Sequence, residues 1–153
     1  MTDEPLQIET DPHRRDVQAL DVWIYQFNIA RTGVADGEEL AIFVRGDEGE
    51  IRAGLYGWTW SGWLEIRTLW VREEERGRGL GGRLLAAAEE EARRRGAHTA
   101  ILETHSFQAP AFYRKHGYAV YAELDGYPTG HSKIFFRKRL GDRDADRGSE
   151  DQR

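Results

Sequence analysis

Between Val71 and Gly82 the chain reads VREEERGRGLGG, with an apolar run ahead of it and an alanine-rich run behind it. This junction constrains the fold because it marks where a series of antiparallel strands stops and a helical crossover to a parallel strand begins. Ahead of it, Leu40–Val44 is a nearly continuous apolar run, Ile51–Trp60 alternates loosely and is rich in aromatics, and Trp63–Val71 is a third strand. The linkers GDEGE (Gly46–Glu50) and Ser61-Gly62 are tight turns, so neighbouring strands pair antiparallel. Behind it, a helix is predicted from about Gly81 to Arg95, burying Leu84, Leu85, Ala88 and Ala92. Its other face carries Glu89–Arg93, Glu90–Arg94 and Glu91–Arg95 as i,i+4 pairs in the favourable order, which reads as solvated surface. Gly96 stops the helix and Thr99–Thr104 is the parallel strand.

The flanks complete the pattern. Leu6–Thr10 alternates as a short strand. Asp11-Pro12 reads as a helix start with Pro at the first helical position. Val17, Leu20, Ile24 and Phe27 form one face of that helix, and Gly33 ends it. Pro110 opens a short helix through His116, closed by Gly117, and Tyr118–Leu124 with His131–Leu140 make a final strand pair. The fold class predicted is α/β (an α+β mixed sheet): a central, mostly antiparallel sheet of about seven strands flanked by helices. A single domain over residues 1–140 is expected, with a charged, disordered tail over 141–153.

Composition narrows the function. The chain has no cysteine, which removes disulfides, thiolate metal sites and cysteine nucleophiles and fits a reducing cytoplasm. Its net charge of −5 argues against a nucleic-acid partner. No apolar stretch reaches the roughly 18 residues a membrane span needs. The acidic N-terminus lacks the hydrophobic core of a signal peptide. A cytoplasmic protein with no metal is expected. An exposed sheet edge or the last strands are where a homodimer could form.

The loop itself is built for an anion. The first N–H groups of the following helix are unpaired and sit at the positive end of its dipole. Gly77, Gly79, Gly81 and Gly82 clear side chains from the backbone, and Arg76, Arg78 and Arg83 add charge. A phosphate or pyrophosphate is the natural guest. Two patterns fit. Gly77-Arg78-Gly79-Leu80-Gly81-Gly82 satisfies G-x-G-x-x-G, with Glu103 near the place of a ribose-binding acid. That fold requires the fingerprint on the first strand of a long parallel sheet, whereas here three antiparallel strands precede it and little chain follows.

The other pattern is Arg76-x-x-Gly79-x-Gly81, which resembles the acyl-CoA loop of the GNAT superfamily of acetyl-CoA-dependent N-acetyltransferases. Downstream, SFQAPAFYRKHGY (Ser106–Tyr118) resembles that superfamily's N-x-x-A-x-x-x-Y-x-x-x-G-[FY] motif, with Ala109, Tyr113, Gly117 and Tyr118 in register and Ser106 in place of the usual Asn. The resemblance covers roughly Leu6–Leu140.

It implies acetyl-CoA as cosubstrate and an amine as acceptor, without metal. The backbone of Arg76, Gly77, Arg78, Gly79, Leu80, Gly81 and Gly82 is then the pyrophosphate cradle. Leu69, Trp70 and Val71 are the strand end against which the pantetheine arm adds like another strand, with the Val71 N–H as oxyanion donor. Ser106 is a further cofactor contact. Tyr113 is implied as the general acid for the departing thiolate. Glu65 is the candidate base, with Glu103 and His105 as second choices. Its other reading is a surface ion pair with Arg67 on the same strand face, and a bulge in the strand would change that face. Tyr56, Trp58, Trp60 and Trp63 are candidates for the acceptor side, and Leu124–Lys133 for a lid over it. Two rival functions are a non-catalytic CoA-binding regulatory domain and a nucleotide-dependent oxidoreductase.

Overall fold

The computed structural model describes residues 4–141, and the tail expected to be disordered lies outside them from residue 142 onward. The chain divides at Ala35/Asp36 into two compact units.

The first unit is one helix, α1 (Arg14–Thr32). It begins two residues after Pro12, because the His13 ring takes the cap position and its Nδ1 accepts the Arg15 N–H at 3.1 Å. Gly33, in the left-handed region, closes it by donating its N–H to Ile29 at 2.8 Å. The strand expected at Leu6–Thr10 does not form, and Leu6 and Ile8 are exposed. A single extended segment has no ladder to join without a neighbour, so alternation alone does not make it a strand. The stripe Val17, Leu20, Ile24, Phe27 lies on α1 as spaced, yet α1 buries no residue.

The second unit is a six-stranded sheet in the order β1-β2-β3-β4-β6-β5. Its elements are β1 (Glu38–Arg45), β2 (Ile51–Trp60), β3 (Trp63–Val71), a 3₁₀ turn (Glu73–Glu75), α2 (Leu80–Arg94), β4 (Thr99–His105), α3 (Pro110–Lys115), β5 (Ala119–Asp125) and β6 (Ser132–Arg139). Every neighbouring pair is antiparallel except β3 with β4, which the α2 crossover makes parallel. The count is therefore one strand short of the expectation, the missing one being Leu6–Thr10.

Core residues come from β1, β2, β3, β4 and β6 and from the inner stripe of α2, whereas β5 buries none of its residues. Leu55, Leu64, Leu85 and Phe136 are almost wholly buried, and each such side chain contributes about 2 kcal/mol of transfer free energy. Leu84, Leu85, Ala88 and Ala92 are buried as predicted. The charged run on α2 is not uniformly solvated. Glu91 bonds Arg95 at 2.8 Å, but Glu89 is only 4% exposed and pairs with Lys138 of β6 at 2.7 Å, not with Arg93. The helix periodicity was blind to this partner, which lies 49 residues downstream.

Two departures from regularity shape the site. On β3, pairing with β2 steps from Thr68–Tyr56 to Ile66–Gly57, leaving Arg67 as an extra residue. Leu64 and Ile66 therefore face the core before the bulge, and Leu69 and Val71 pack on it after the bulge. Gly57 permits this: a Cβ there would stand 2.6 Å from the Glu65 carbonyl oxygen. Second, β3 pairs with β4 only from Trp63–Thr99 to Ile66–Leu102, whereas β3 follows β2 to Val71 and β4 follows β6 to His105. The two central strands thus part just beyond Ile66 and Leu102.

Candidate active site

The parting of β3 and β4 opens a cavity on each side of the sheet. One has a volume of 300 Å³, runs along Ile66–Leu69 and Leu102–Thr104, and ends at Gln108, Ala109 and Tyr113 of the β4–α3 segment. The other, of 390 Å³, is lined by Glu65, Ile66, Arg67, Ile101, Leu102, Glu103, Tyr121 and Phe135. Ile66, Arg67, Leu102 and Glu103 line both, so the two cavities meet at the gap.

The edge of β3 that faces the gap carries main-chain groups that are not paired with β2. The Arg72 N–H bonds the Arg52 carbonyl at 2.9 Å. In an antiparallel ladder such pairs alternate, so the main-chain groups of Val71 and Leu69 point away from β2, toward the opening. The Val71 carbonyl, accordingly, accepts from the Arg76 guanidinium at 3.0 Å. Trp70, between them, is directed toward β2 by its backbone and keeps a half-exposed side chain.

Beyond Val71 the chain enters the glycine loop. Gly77 and Gly79 both take φ of +76°, and nothing lies within 4 Å of a Cβ at either, so conformation rather than space demands glycine there. Gly79 is the N-cap of α2 and no side chain caps the helix, which leaves the first-turn amides of Leu80, Gly81 and Gly82 open. Gly81 approaches both Val71 and Phe112, so the start of α2 sits beside the β3 end and next to Tyr113. The loop is anchored from behind by Glu75, whose carboxylate accepts from Arg52 of β2 and lies 3.6 Å from Arg78. The Arg52 hydrogen bond holds Glu75 below the usual carboxylate range. Arg76, Arg78 and Arg83 are exposed.

Tyr113 is buried and packs its ring against Phe112, Tyr118 and Phe136. Burial pushes its hydroxyl above the ordinary phenol value, so the proton stays in place at neutral pH. Behind it, Tyr118 reaches the buried Glu89 at 3.4 Å. Glu65 lies in the opposite cavity, half-exposed, 3.6 Å from Arg67. Glu103 shares that cavity and pairs with Lys133 at 3.0 Å. His105 stacks between Phe107 and Tyr127, so the β5–β6 connection rests its aromatic ring at the end of β4.

Some predicted residues fall elsewhere. Ser106 lines neither cavity: its hydroxyl accepts the Ser132 N–H at 3.0 Å and its own N–H returns a bond to the Ser132 carbonyl at 2.8 Å. Tyr56, Trp58, Trp60 and Trp63 line neither cavity, and the Tyr56 hydroxyl donates to Glu39 at 3.0 Å. Conversely, Gln108 was not singled out. Its Oε1 accepts from the Thr104 hydroxyl and the His105 N–H, turning the end of β4 into α3. It occupies a loop position with no periodic signal, so only the fold reveals it. Among the described residues, no cluster of three His, Cys, Asp or Glu could hold a metal ion, and no helix is long and apolar enough to cross a membrane.

Comparison with known proteins agrees with this geometry. Residues 3–118 match the family model described as Acetyltransferase (GNAT) family. Acetyltransferase Atu2258 of Agrobacterium fabrum is 38% identical over 114 residues, covering 74% of this chain and 83% of that protein. Blasticidin-S acetyltransferase of Streptomyces morookaense is 38% identical over 116 residues, covering 73% of this chain and 85% of that protein. The crystal structure of an acetyltransferase from Bacillus cereus superposes with a TM-score of 0.71 at 34% identity, over 87% of this chain and 97% of that one. The chain therefore belongs to the GNAT acetyltransferase family and is an acyl-CoA-dependent N-acyltransferase.

Proposed function

We propose that the protein transfers an acetyl group from acetyl-CoA to a primary amine by direct attack within a ternary complex. The observation that carries this reading is the gap between β3 and β4, which joins a cavity ending at Tyr113 to a cavity holding Glu65. Acyl donor and amine then enter from opposite sides of the sheet and meet where the strands part. The open amides of α2 and the loop glycines suit the pyrophosphate. The outward main-chain groups of Leu69 and Val71 suit the amides of the pantetheine arm, and the Val71 N–H suits the developing oxyanion.

In the reaction the amine nitrogen forms a bond to the acetyl carbon and the carbon–sulfur bond breaks. A lysine-like amine near pKa 10.4 costs about 4.6 kcal/mol to deprotonate at pH 7, so a base on its side of the gap lowers the barrier. Glu65 takes that proton, Tyr113 supplies one to the leaving thiolate, and the second proton shed by the nitrogen as the amide forms makes good the one Tyr113 gave. A phenol raised by burial is a weak acid before reaction and donates only as charge gathers on sulfur, which keeps its proton from being lost earlier.

The test is release of free CoA from acetyl-CoA across a panel of amines, with Tyr113→Phe alongside. Amine-dependent release that falls sharply in Tyr113→Phe supports the reading. Tight acetyl-CoA binding with no turnover of any amine would leave a CoA-binding regulatory domain in its place, and thermal stabilisation by NAD alone an oxidoreductase.

A further inference from the structure

The acceptor cavity is bounded by two ion pairs on adjacent strands. Glu65 and Arg67 of β3 stand 3.6 Å apart, and Glu103 of β4 and Lys133 of β6 stand 3.0 Å apart. In the parallel register Glu65 lies beside Ile101 and Ile66 beside Leu102, so Arg67 and Glu103 are the next residues on the two strands, facing across the opening where pairing ends. Both also line the donor cavity. The apolar part of the cleft is Ile101, Tyr121 and Phe135, with the two rings 6.1 Å apart.

This arrangement discriminates by charge balance. Each pair is locally neutral, and Glu65, Arg67 and Glu103 are about half exposed. The Glu65–Arg67 pair, exposed on both sides, is of the weak kind that opens readily, whereas Lys133 is only 18% exposed. A bare cationic amine that takes Glu65 or Glu103 for itself leaves a guanidinium or ammonium without its carboxylate. An acceptor carrying both an ammonium and a carboxylate exchanges partners with a pair and leaves every charge matched. Arg67 also has the planar fork that binds a carboxylate at two points, which Lys133 lacks. Its place at the bulge puts it at the junction of the two cavities, where a carboxylate next to the reacting amine would sit.

Building on the acetyl-transfer reading above, we infer that the acceptor is a zwitterionic, amino-acid-like amine with an apolar or aromatic side group, and that Arg67 is the residue that selects its carboxylate. Tyr121, Phe135 and Ile101 take the side group; Glu65 and Glu103 flank the ammonium.

The experiment compares L-phenylalanine, L-phenylalanine N-methylamide and phenethylamine, with L-leucine and 3-methylbutylamine as an aliphatic pair. Binding to the protein saturated with CoA is measured by calorimetry, and acetyl transfer from acetyl-CoA separately. The carboxylate-bearing amines are expected to bind at least tenfold more tightly than their uncharged-end counterparts. Arg67→Gln is expected to erase that ratio, and Arg67→Lys to retain part of it. Equal binding of all probes, binding of none, or an equal loss for all probes in Arg67→Gln overturns the inference. Preferential binding without acetyl transfer upholds the inference and removes the transfer reading. Transfer without preference does the reverse.

Discussion

The two sides of the β3–β4 gap offer different kinds of groups to the donor and the acceptor proposed for them. On the donor side the groups offered are mostly main chain: outward-facing Leu69 and Val71, open amides at the start of α2, and glycines whose φ of +76° few other residues adopt. On the proposed acceptor side they are side chains from four strands: Glu65 and Arg67, Ile101 and Glu103, Phe135, and Tyr121. A main-chain site is tied to one backbone shape and serves one donor. A side-chain site can be rewritten residue by residue, so the proposed acceptor side is open to point changes that leave the backbone of the proposed donor side as it is.

This contrast can be broken by mutation. The largest effect is expected at the junction: Tyr113→Phe should lower kcat by about 100-fold or more, within the range of lost acid catalysis, while acetyl-CoA affinity stays within about twofold. Pre-steady-state acetyl transfer and calorimetry read the two separately. Next, Glu65→Gln should cut kcat by about 100-fold, with donor affinity unchanged. A change confined to the amine KM would make Glu65 a binding group only. On the donor side, Gly79→Val forces a β-branched residue into the left-handed region at a cost of about 1–3 kcal/mol. Acetyl-CoA affinity should fall about tenfold, and the kcat at saturating donor should fall much less.

The smallest effect concerns Glu75. Its folded pKa lies below the ordinary 4.5, first through the Arg52 hydrogen bond, so its contribution is full above that value and disappears as pH falls through the depressed one. Glu75→Gln should therefore weaken acetyl-CoA binding by a small factor at pH 7, and the gap between mutant and parent should close as pH falls below 4.5. A gap that widens with acid would show that Glu75 does not hold the loop as a carboxylate.

The same contrast decides what could be read before the fold was known. β2 and β3 occupy the predicted Ile51–Trp60 and Trp63–Val71, because alternation and tight turns are local signals. The turn of the glycine loop was legible for the same reason: positions held at positive φ leave their mark as glycines. Glu89 was misread because its partner, Lys138, sits on a strand that only the order β4-β6-β5 brings near. Tyr121 and Phe135 were invisible as cavity residues on the same account. Leu6–Thr10 alternated without a strand to pair with, which shows that periodicity proposes and the ladder decides.

The surplus residue at Arg67 has a wider consequence for anyone re-engineering this scaffold. Upstream of it, position 65 points away from the core into a cavity; downstream, positions 69 and 71 pack inward, so one continuous segment obeys two opposite parities. Deleting that single residue would not trim the strand but turn one half over, sending Glu65 into the hydrocarbon interior or Leu69 and Val71 out into water. Selectivity is therefore open to point changes at Glu65 and Arg67, whereas the spacing between Ile66 and Thr68 cannot be shortened.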